Sequence, residues 1–105
     1  LMARTGLPGD AVDGVILGSV LMAGQGQAPA RQVVIKSGLP NTVQAMTINK
    51  VCSSGLKAVM LAANDVQLGH ARAVIAGGME NMSLAPYLLP NLRTGARLGH
   101  APAED

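Results

Sequence analysis

The sequence predicts an α/β fold in which helices pack against a parallel sheet. Strand-like and helix-like segments alternate along the chain in the order strand, helix, strand, helix, strand, which is typical of parallel α/β architecture with right-handed crossovers. The 105 residues are 49% hydrophobic, which is enough for one small core. Ala, Val, Leu and Gly dominate, and Tyr87 is the only aromatic residue. Small aliphatic side chains favour strand and helix layers that approach one another closely.

The first segments predict a helix end, a turn and a strand. Residues 1–4 are interpreted as the tail of a helix that Gly6 and Pro8 close, and residues 10–13 as a connecting turn. The apolar run 14–20 has the length of a strand. We therefore expect the first strand of the sheet within residues 14–20.

A loop, a helix and a second strand are predicted next. The glycines of residues 23–27 predict a loop, after which Pro29 suits the first turn of a helix. That helix is expected to stop at Gly38 and Pro40. The β-branched residues within 42–50 predict the second strand.

The second main helix is predicted to be amphipathic. Ser53 and Ser54 offer a side-chain cap at its start, and Gly69 is a typical stop. Its apolar residues fall at helical spacing, and polar residues lie on the opposite side. The apolar set is Leu56, Val59, Met60, Ala63 and Val66, and the polar set is Lys57, Asn64 and Asp65.

The third predicted strand, residues 73–76, ends at Gly77 and Gly78. This glycine pair is interpreted as a tight strand exit and not as a phosphate loop, because no Gly-Lys-Ser or Gly-Lys-Thr follows it. After Met79 the prolines predict a loop-rich stretch; they are Pro86, Pro90 and Pro102.

Composition and charge argue against several classes of protein. The net charge is +2, and the basic residues are scattered from Arg4 to Arg97 without forming a stripe for nucleic acid. No apolar stretch approaches the roughly 20 residues that span a bilayer, and residues 1–4 do not resemble a signal peptide. One cysteine and two scattered histidines predict neither a disulfide nor a metal site. We expect a cytoplasmic protein that binds no metal, nucleic acid or membrane.

Cys52 is the candidate catalytic residue. It lies just after a predicted strand and just before a predicted helix, at the sheet edge where ligands gather in α/β proteins. The free N–H groups of a helix start stabilise a thiolate, and they also stabilise an oxygen that gains negative charge during acyl transfer. Its neighbours Ser53, Ser54 and Gly55 leave room for a substrate. The structural alternative is a small buried cysteine.

Other candidate residues favour structural roles. His70 is expected to be a surface C-terminal cap, about 27 Å along the helix from Cys52. His100 lies in the loop-rich tail. Glu80 is expected to hold a loop by accepting hydrogen bonds from backbone N–H groups, with a general-base role as the alternative. Three methionines are predicted to line the core or a pocket: Met60, Met79 and Met82.

Three ordered blocks of sequence resemble the thiolase family. Residues 48–59 read INKVCSSGLKAV and are similar to the family's acyl-enzyme signature. Upstream, residues 23–32 read AGQGQAPARQ. Downstream, residues 76–83 read AGGMENMS, followed by Ala-Pro-Tyr at 85–87. The blocks lie in the family's order and extend over most of the chain.

The resemblance implies the layered α/β/α thiolase fold and acyl transfer between coenzyme A thioesters. The acetyl-CoA acetyltransferase type joins two acetyl-CoA molecules into acetoacetyl-CoA and CoA, or catalyses the thiolytic reverse. The acyl-enzyme nucleophile maps onto Cys52, and its N–H group onto half of one oxyanion hole. Coenzyme A thioesters are then substrates, and no cofactor is expected. The resemblance also implies a homodimer or homotetramer with residues 25–32 near the subunit contact, and places Arg93 and Arg97 before a segment near the coenzyme A phosphates.

Several family motifs are missing from residues 1–105. These are the second cysteine in a Cys-x-Gly context, Gly-His-Pro and Asn-Glu-Ala-Phe. We therefore expect residues 1–105 to be part of a thiolase N-terminal domain, without its first strand and without the C-terminal domain, and to be inactive and poorly folded alone. With the family's strand order taken as 3-2-1-4-5, the first strand would lie between the second and the fourth. The three strands here are then expected to lack their central member.

Two alternatives to a working thiolase remain open. A β-ketoacyl synthase-like condensing enzyme shares the fold and can carry Cys-Ser-Ser-Gly. It would rely on two histidines where a thiolase uses one histidine and a second cysteine. The other alternative is a truncated, non-catalytic thiolase-like subunit that contributes only an interface.

Overall fold

The computed structural model describes residues 1–105 and confirms the α/β class. Three strands form one parallel sheet: β1 (Gly14–Gly18), β2 (Gln44–Ile48) and β3 (Val74–Gly78). The helices are α1 (Met2–Thr5), α2 (Pro29–Lys36) and α3 (Ser54–Gln67). Short 3₁₀ turns cover Gly9–Ala11, Met82–Leu84 and Leu92–Thr94.

The sheet has the order β2-β1-β3, and β1 is its central strand. Gly14 to Gly18 pairs in parallel with Gln44 to Ile48 on one side and with Val74 to Gly78 on the other. No space for another strand exists between β1 and β3, because their backbones are joined by a continuous ladder. The expectation that these strands lack a central member is therefore wrong.

The strand ends differ from the predicted ones for a local reason. β1 ends at Gly18 and not at residue 20, because the Val20 and Leu21 N–H groups turn to the carboxylate of Glu80. The second strand is shorter than the predicted range 42–50 at both ends. β3 includes the glycine pair 77–78, so the strand ends two residues later than predicted and the pair is not its exit.

The helices cover both faces of the sheet, which gives the expected α/β/α layers. Neighbouring residues of β1 point to opposite faces. Val15 packs with Val34 of α2, together with Val12, Leu39 and Val43. Ile16 packs on the other face with Ala58 and Ala62 of α3.

α3 turns a face of small residues toward the sheet, and the predicted apolar face is exposed. Ser54, Ala58 and Ala62, each four positions apart, are its buried residues. The large apolar residues are 45–66% exposed: Leu56, Val59, Met60 and Val66. The predicted core or pocket role of Met60 is therefore wrong. Small side chains occupy the buried face because they let the helix axis come close to the sheet.

The ends of α3 are closed by backbone hydrogen bonds. Gly69 adopts φ +75°, its N–H group donates to Val66 O at 3.1 Å, and the His70 N–H group donates to Asp65 O at 2.8 Å. This confirms the predicted helix stop and the capping role of His70. At the start, the N-cap Ser53 makes no side-chain hydrogen bond, so the predicted serine cap is wrong there. No helix has the length and apolar character needed to cross a membrane.

Candidate active site

Cys52 lies between β2 and α3, at the carboxyl edge of the parallel sheet. It is exposed and has a free thiol. The helix begins two residues later, at Ser54. The structure thus places the cysteine where the sequence predicts it, and the alternative of a buried thiol is wrong.

A tight turn over residues 49–54, the cysteine elbow, presents this thiol. The Val51 N–H group donates to Asn49 Oδ1 at 2.9 Å, and the Ser53 N–H group donates to Lys50 O at 3.1 Å. Val51 adopts φ +49°, in the left-handed region that a β-branched residue rarely occupies. The turn leads the chain from β2 into α3 and leaves Cys52 exposed.

Backbone N–H groups at and just after Cys52 are unpaired. The N–H groups of Cys52, Gly55 and Leu56 have no acceptor within the chain. Those of Gly55 and Leu56 belong to the first turn of α3, whose partial positive charge favours a nearby anion. The arrangement can stabilise a thiolate or the oxyanion formed when a thioester carbonyl is attacked.

The thiol opens into a cavity of about 630 Å³ with mostly apolar walls. The walls come from the last residues of β1 and β3, from the segments that follow the three strands, and from the start of α3. They are Gly18, Val20, Leu21, Val51, Cys52, Ser54, Gly55, Gly78, Met79, Glu80 and Met82. This confirms the predicted lining role of Met79 and Met82. A small apolar acyl group suits such walls.

Glycines bring the start of α3 against the sheet beneath the cavity. A Cβ atom on Gly18 would lie 2.4 Å from the carbonyl carbon of Ser54 and 2.6 Å from Gly55 N. A Cβ atom on Gly78 would lie 3.4 Å from Gly55 Cα. This role of Gly18 and Gly55 is not among the predictions made from the sequence. The available signal is a glycine at the end of β1, another at the end of β3 and a third at the helix start.

Glu80 clamps one wall of the cavity. Its two carboxylate oxygens accept hydrogen bonds from the N–H groups of Val20 and Leu21, both at 2.9 Å. The carboxylate therefore ties the segment after β3 to the segment after β1. The predicted loop-holding role of Glu80 is confirmed.

Neither histidine lines the cavity of Cys52. His70 lies at the opposite end of the sheet, beside a separate cavity of about 400 Å³ that Asp13 and Asp65 also line. Its Nδ1 atom is 3.9 Å from Asp65 Oδ1. His100 lines a cavity formed only by residues of the tail, 89–104. Within residues 1–105, no histidine is placed to act as a base on the Cys52 thiol.

The class of protein follows from the family comparison. The family model for the thiolase N-terminal domain matches residues 1–105, and the chain belongs to the thiolase family. It is 59% identical over its whole length to an acetyl-CoA acetyltransferase of Pseudomonas aeruginosa and 61% identical to a probable acetyl-CoA acetyltransferase of Escherichia coli. The chain spans 27% of the length of each of these relatives.

Solved thiolase structures share the fold. The Acat5 thiolase from Ascaris suum, determined in complex with coenzyme A, matches 99% of the chain at a TM-score of 0.91 and 42% identity. The acetyl-CoA acetyltransferase of Bacillus anthracis matches the same share at a TM-score of 0.91 and 41% identity. The chain covers 27% and 26% of those two structures. The thiolase fold predicted from the three sequence blocks is confirmed.

Proposed function

We propose that the protein containing this chain is a thiolase of the acetyl-CoA acetyltransferase type, with Cys52 as its acylated nucleophile. The observation that carries the proposal is the exposed thiol, which lies just before a helix start with unpaired N–H groups and lines an apolar cavity of about 630 Å³. The names of the relatives support the acetyl-CoA type, and the complex of the Ascaris suum thiolase supports coenzyme A thioesters as substrates. Coenzyme A is then a substrate, and no cofactor is required.

Residues 1–105 contain the groups for the first half of the reaction, the formation of the acyl-enzyme. The Cys52 thiolate attacks the carbonyl carbon of the thioester, and the negative charge moves to the carbonyl oxygen. The Cys52 N–H group donates to that oxygen, and it is available because it has no acceptor in the chain. The carbon–sulfur bond to coenzyme A then breaks. The coenzyme A thiolate leaves and takes up one proton, which balances the proton that the Cys52 thiol released on forming its thiolate, and the acyl group remains on Cys52 as a thioester.

The second half needs groups that residues 1–105 do not supply. Removal of an α-proton from the acceptor acetyl-CoA requires a base, and this range contains a single cysteine and no histidine near it. We propose that residues 1–105 are part of the N-terminal domain of a longer protein whose remaining sequence carries these groups. The family match favours this thiolase assignment over a β-ketoacyl synthase-like enzyme.

Trapping the acyl-enzyme tests the proposal directly. The complete polypeptide encoded by the gene is mixed with acetyl-CoA, quenched in acid, digested and analysed by mass spectrometry. The peptide that contains Cys52 should gain one acetyl group, and the C52A variant should gain none and lose acetyl transfer. The variant S53A, one residue away and without a side-chain hydrogen bond, is the matched control. An unmodified Cys52 peptide beside normal turnover contradicts the proposal.

Assembly and location are part of the same proposal. We propose a homodimer or homotetramer with residues 25–32 near the contact. This segment has a defined shape, because the Gln32 Nε2 group donates to Gln25 O at 2.7 Å and to Gln27 O at 3.0 Å. We propose the cytoplasm as its location, since a nucleophilic thiol has to stay reduced. Light scattering of the complete protein measures the number of subunits, and a monomer contradicts the proposed assembly.

A further inference from the structure

We propose that Ser54 is a positioning residue, whose side-chain hydroxyl holds the cysteine elbow in the strained conformation that presents Cys52. This inference rests on the proposed role of Cys52 as the nucleophile. Ser54 itself is not proposed to touch the reacting atoms during catalysis. It acts through the backbone of Lys50 and Val51.

The elbow contains strain at one residue, Val51. A φ of +49° brings the branched side chain of valine close to its own backbone, and such a conformation persists only where the surroundings hold it. Val51 as a whole is 65% exposed, so packing offers it little compensation. Hydrogen bonds to the backbone on each side of Val51 have to supply the restraint.

The Ser54 hydroxyl makes two of these bonds at once. It accepts a hydrogen bond from the Lys50 N–H group at 2.8 Å and donates one to Val51 O at 2.6 Å. These two backbone groups lie on opposite sides of the strained φ and ψ angles. Ser54 is only 4% exposed, so water cannot readily replace the hydroxyl. The hydroxyl therefore fixes the distance across the strained residue.

Helix capping does not account for these bonds. The N-cap residue of α3 is Ser53, whose side chain makes no capping bond. The Ser54 hydroxyl bonds to residues before the helix, and not to the free N–H groups of its first turn. What it stabilises is the cysteine elbow, which contains Cys52.

The consequence concerns the direction of the thiol. Without the hydroxyl, Val51 can relax to a negative φ, and Cys52 follows it in sequence. Such a change rotates the thiol away from the unpaired N–H groups and the cavity. The reactivity of Cys52 should then fall even where the fold survives.

A double-mutant cycle on the complete polypeptide tests the inference. The proteins are the wild type, S54A, V51G and the double variant, with S53A as the matched control. Glycine adopts positive φ at little cost, so V51G removes the strain that Ser54 is proposed to hold. The readouts are the rate of iodoacetamide labelling of the Cys52 peptide, followed by mass spectrometry, and the melting temperature.

S54A should slow labelling by about tenfold in the valine background. A tenfold change corresponds to about the free energy that one buried hydrogen bond contributes. In the V51G background the same substitution should slow labelling less than about threefold, and S53A should label like the wild type. Equal slowing by S54A in both backgrounds, or none in either, overturns the inference. If Cys52 of the folded wild type labels no faster than Cys52 of the same protein unfolded in urea, that result contradicts the proposed function instead. In that case the melting temperatures test the inference. If the fall in melting temperature of the double variant equals the sum of the falls in S54A and V51G, the inference is overturned. If the double variant falls by less than that sum, the inference is supported.

Discussion

Gly18 is the residue on which the contact between α3 and the sheet depends. A Cβ atom there would lie 2.4–2.6 Å from atoms of Ser54 and Gly55, including backbone atoms that cannot rotate away. The substitution Gly18→Ala should therefore displace the first turn of α3. We expect a loss of about 1–3 kcal/mol in the free energy of unfolding and slower acetylation of Cys52. Urea denaturation and acetyl trapping measure the two effects.

Gly14 provides the control for this prediction within the same strand. A Cβ atom on Gly14 would meet nothing closer than 3.9 Å. Gly14→Ala should therefore be neutral or stabilising by up to about 1 kcal/mol, because alanine restricts the unfolded chain. Similar urea midpoints for the two variants would show that the close approach at Gly18 is not a constraint.

Glu80 allows a second prediction at the residue scale, since its two possible roles have different signatures. If Glu80 clamps the Val20 and Leu21 N–H groups, the substitution Glu80→Gln should remove one of the two charge-assisted hydrogen bonds, because an amide has only one acceptor oxygen. We expect a lower melting temperature together with a higher KM for acetyl-CoA. Glu104→Gln is the control, because Glu104 lies outside this cavity. A variant with the wild-type melting temperature and a lost acidic limb in its pH–rate profile would instead identify Glu80 as a general base, because a base has to be deprotonated to act.

At the scale of elements, Asp13 joins the entrances of β1 and β3. Its Oδ2 atom accepts hydrogen bonds from the Arg72 N–H group at 2.7 Å and from the Ala73 N–H group at 3.1 Å. These backbone bonds, with the Arg72 charge adding a smaller effect, lower the pKa of Asp13 below its ordinary value of 3.8. The contribution of Asp13 to stability is thus fully present above pH 3.8 and is lost as the pH falls through the lower, folded-state pKa.

The pH dependence of Asp13→Asn tests this assignment. The variant should be less stable than the wild type at neutral pH, and the difference should shrink as the pH falls below 3.8. Asp10→Asn is the control, since Asp10 is exposed. Urea midpoints measured between neutral and strongly acidic pH provide the comparison. A stability difference that does not change with pH would show that the carboxylate charge is not what stabilises the strand entrances.

The order of elements could be predicted from the sequence, but the face of α3 could not. Apolar runs and glycine or proline stops mark the three strands and both main helices within a few residues. The buried face of α3 consists of Ser54, Ala58 and Ala62, which are too small to stand out in a hydrophobic pattern. The large residues instead mark a face that is exposed in this chain. The buried face of α3 is determined by the size of its residues, because only small side chains let the helix approach the sheet closely. The periodic pattern in the sequence reports hydrophobicity and not size.

The candidate site was predictable at Cys52 and Glu80 but not in the elbow between strand and helix. A cysteine at a strand-to-helix junction and an acid at a glycine-rich strand end both have a chemical signature. Valine, in contrast, gives no sign of a positive φ, which normally points to glycine or asparagine. The hydroxyl of Ser54 also looked like a helix cap. Its real partners, Lys50 and Val51, depend on a backbone shape that local propensity does not encode.

At the scale of the whole molecule, one broad surface of the chain is apolar and uncovered. It comprises the outer face of α3, where Leu56, Val59, Met60 and Val66 are 45–66% exposed. A shallow cavity of about 510 Å³ continues it toward β3, between Val66, Val74 and Ala76. Contiguous exposed apolar surface of this kind is unusual for a protein that stays monomeric in water. It supports the expectation that residues 1–105 are poorly folded when produced alone.

The behaviour of the isolated segment follows from this surface. Residues 1–105 expressed alone should bind a hydrophobic dye, self-associate and unfold over a broad temperature range, because the core is small and the α3 face attracts other copies. Replacing Leu56 and Val66 with lysine should reduce dye binding and association without a loss of helix content, since both side chains already face solvent. Ala58→Lys is the control that should abolish the remaining structure, because Ala58 is 0% exposed. Circular dichroism, dye fluorescence and light scattering separate these outcomes. A sharp, cooperative melt of the unmodified segment as a monomer would show that three strands and two main helices suffice for a stable fold despite the uncovered face.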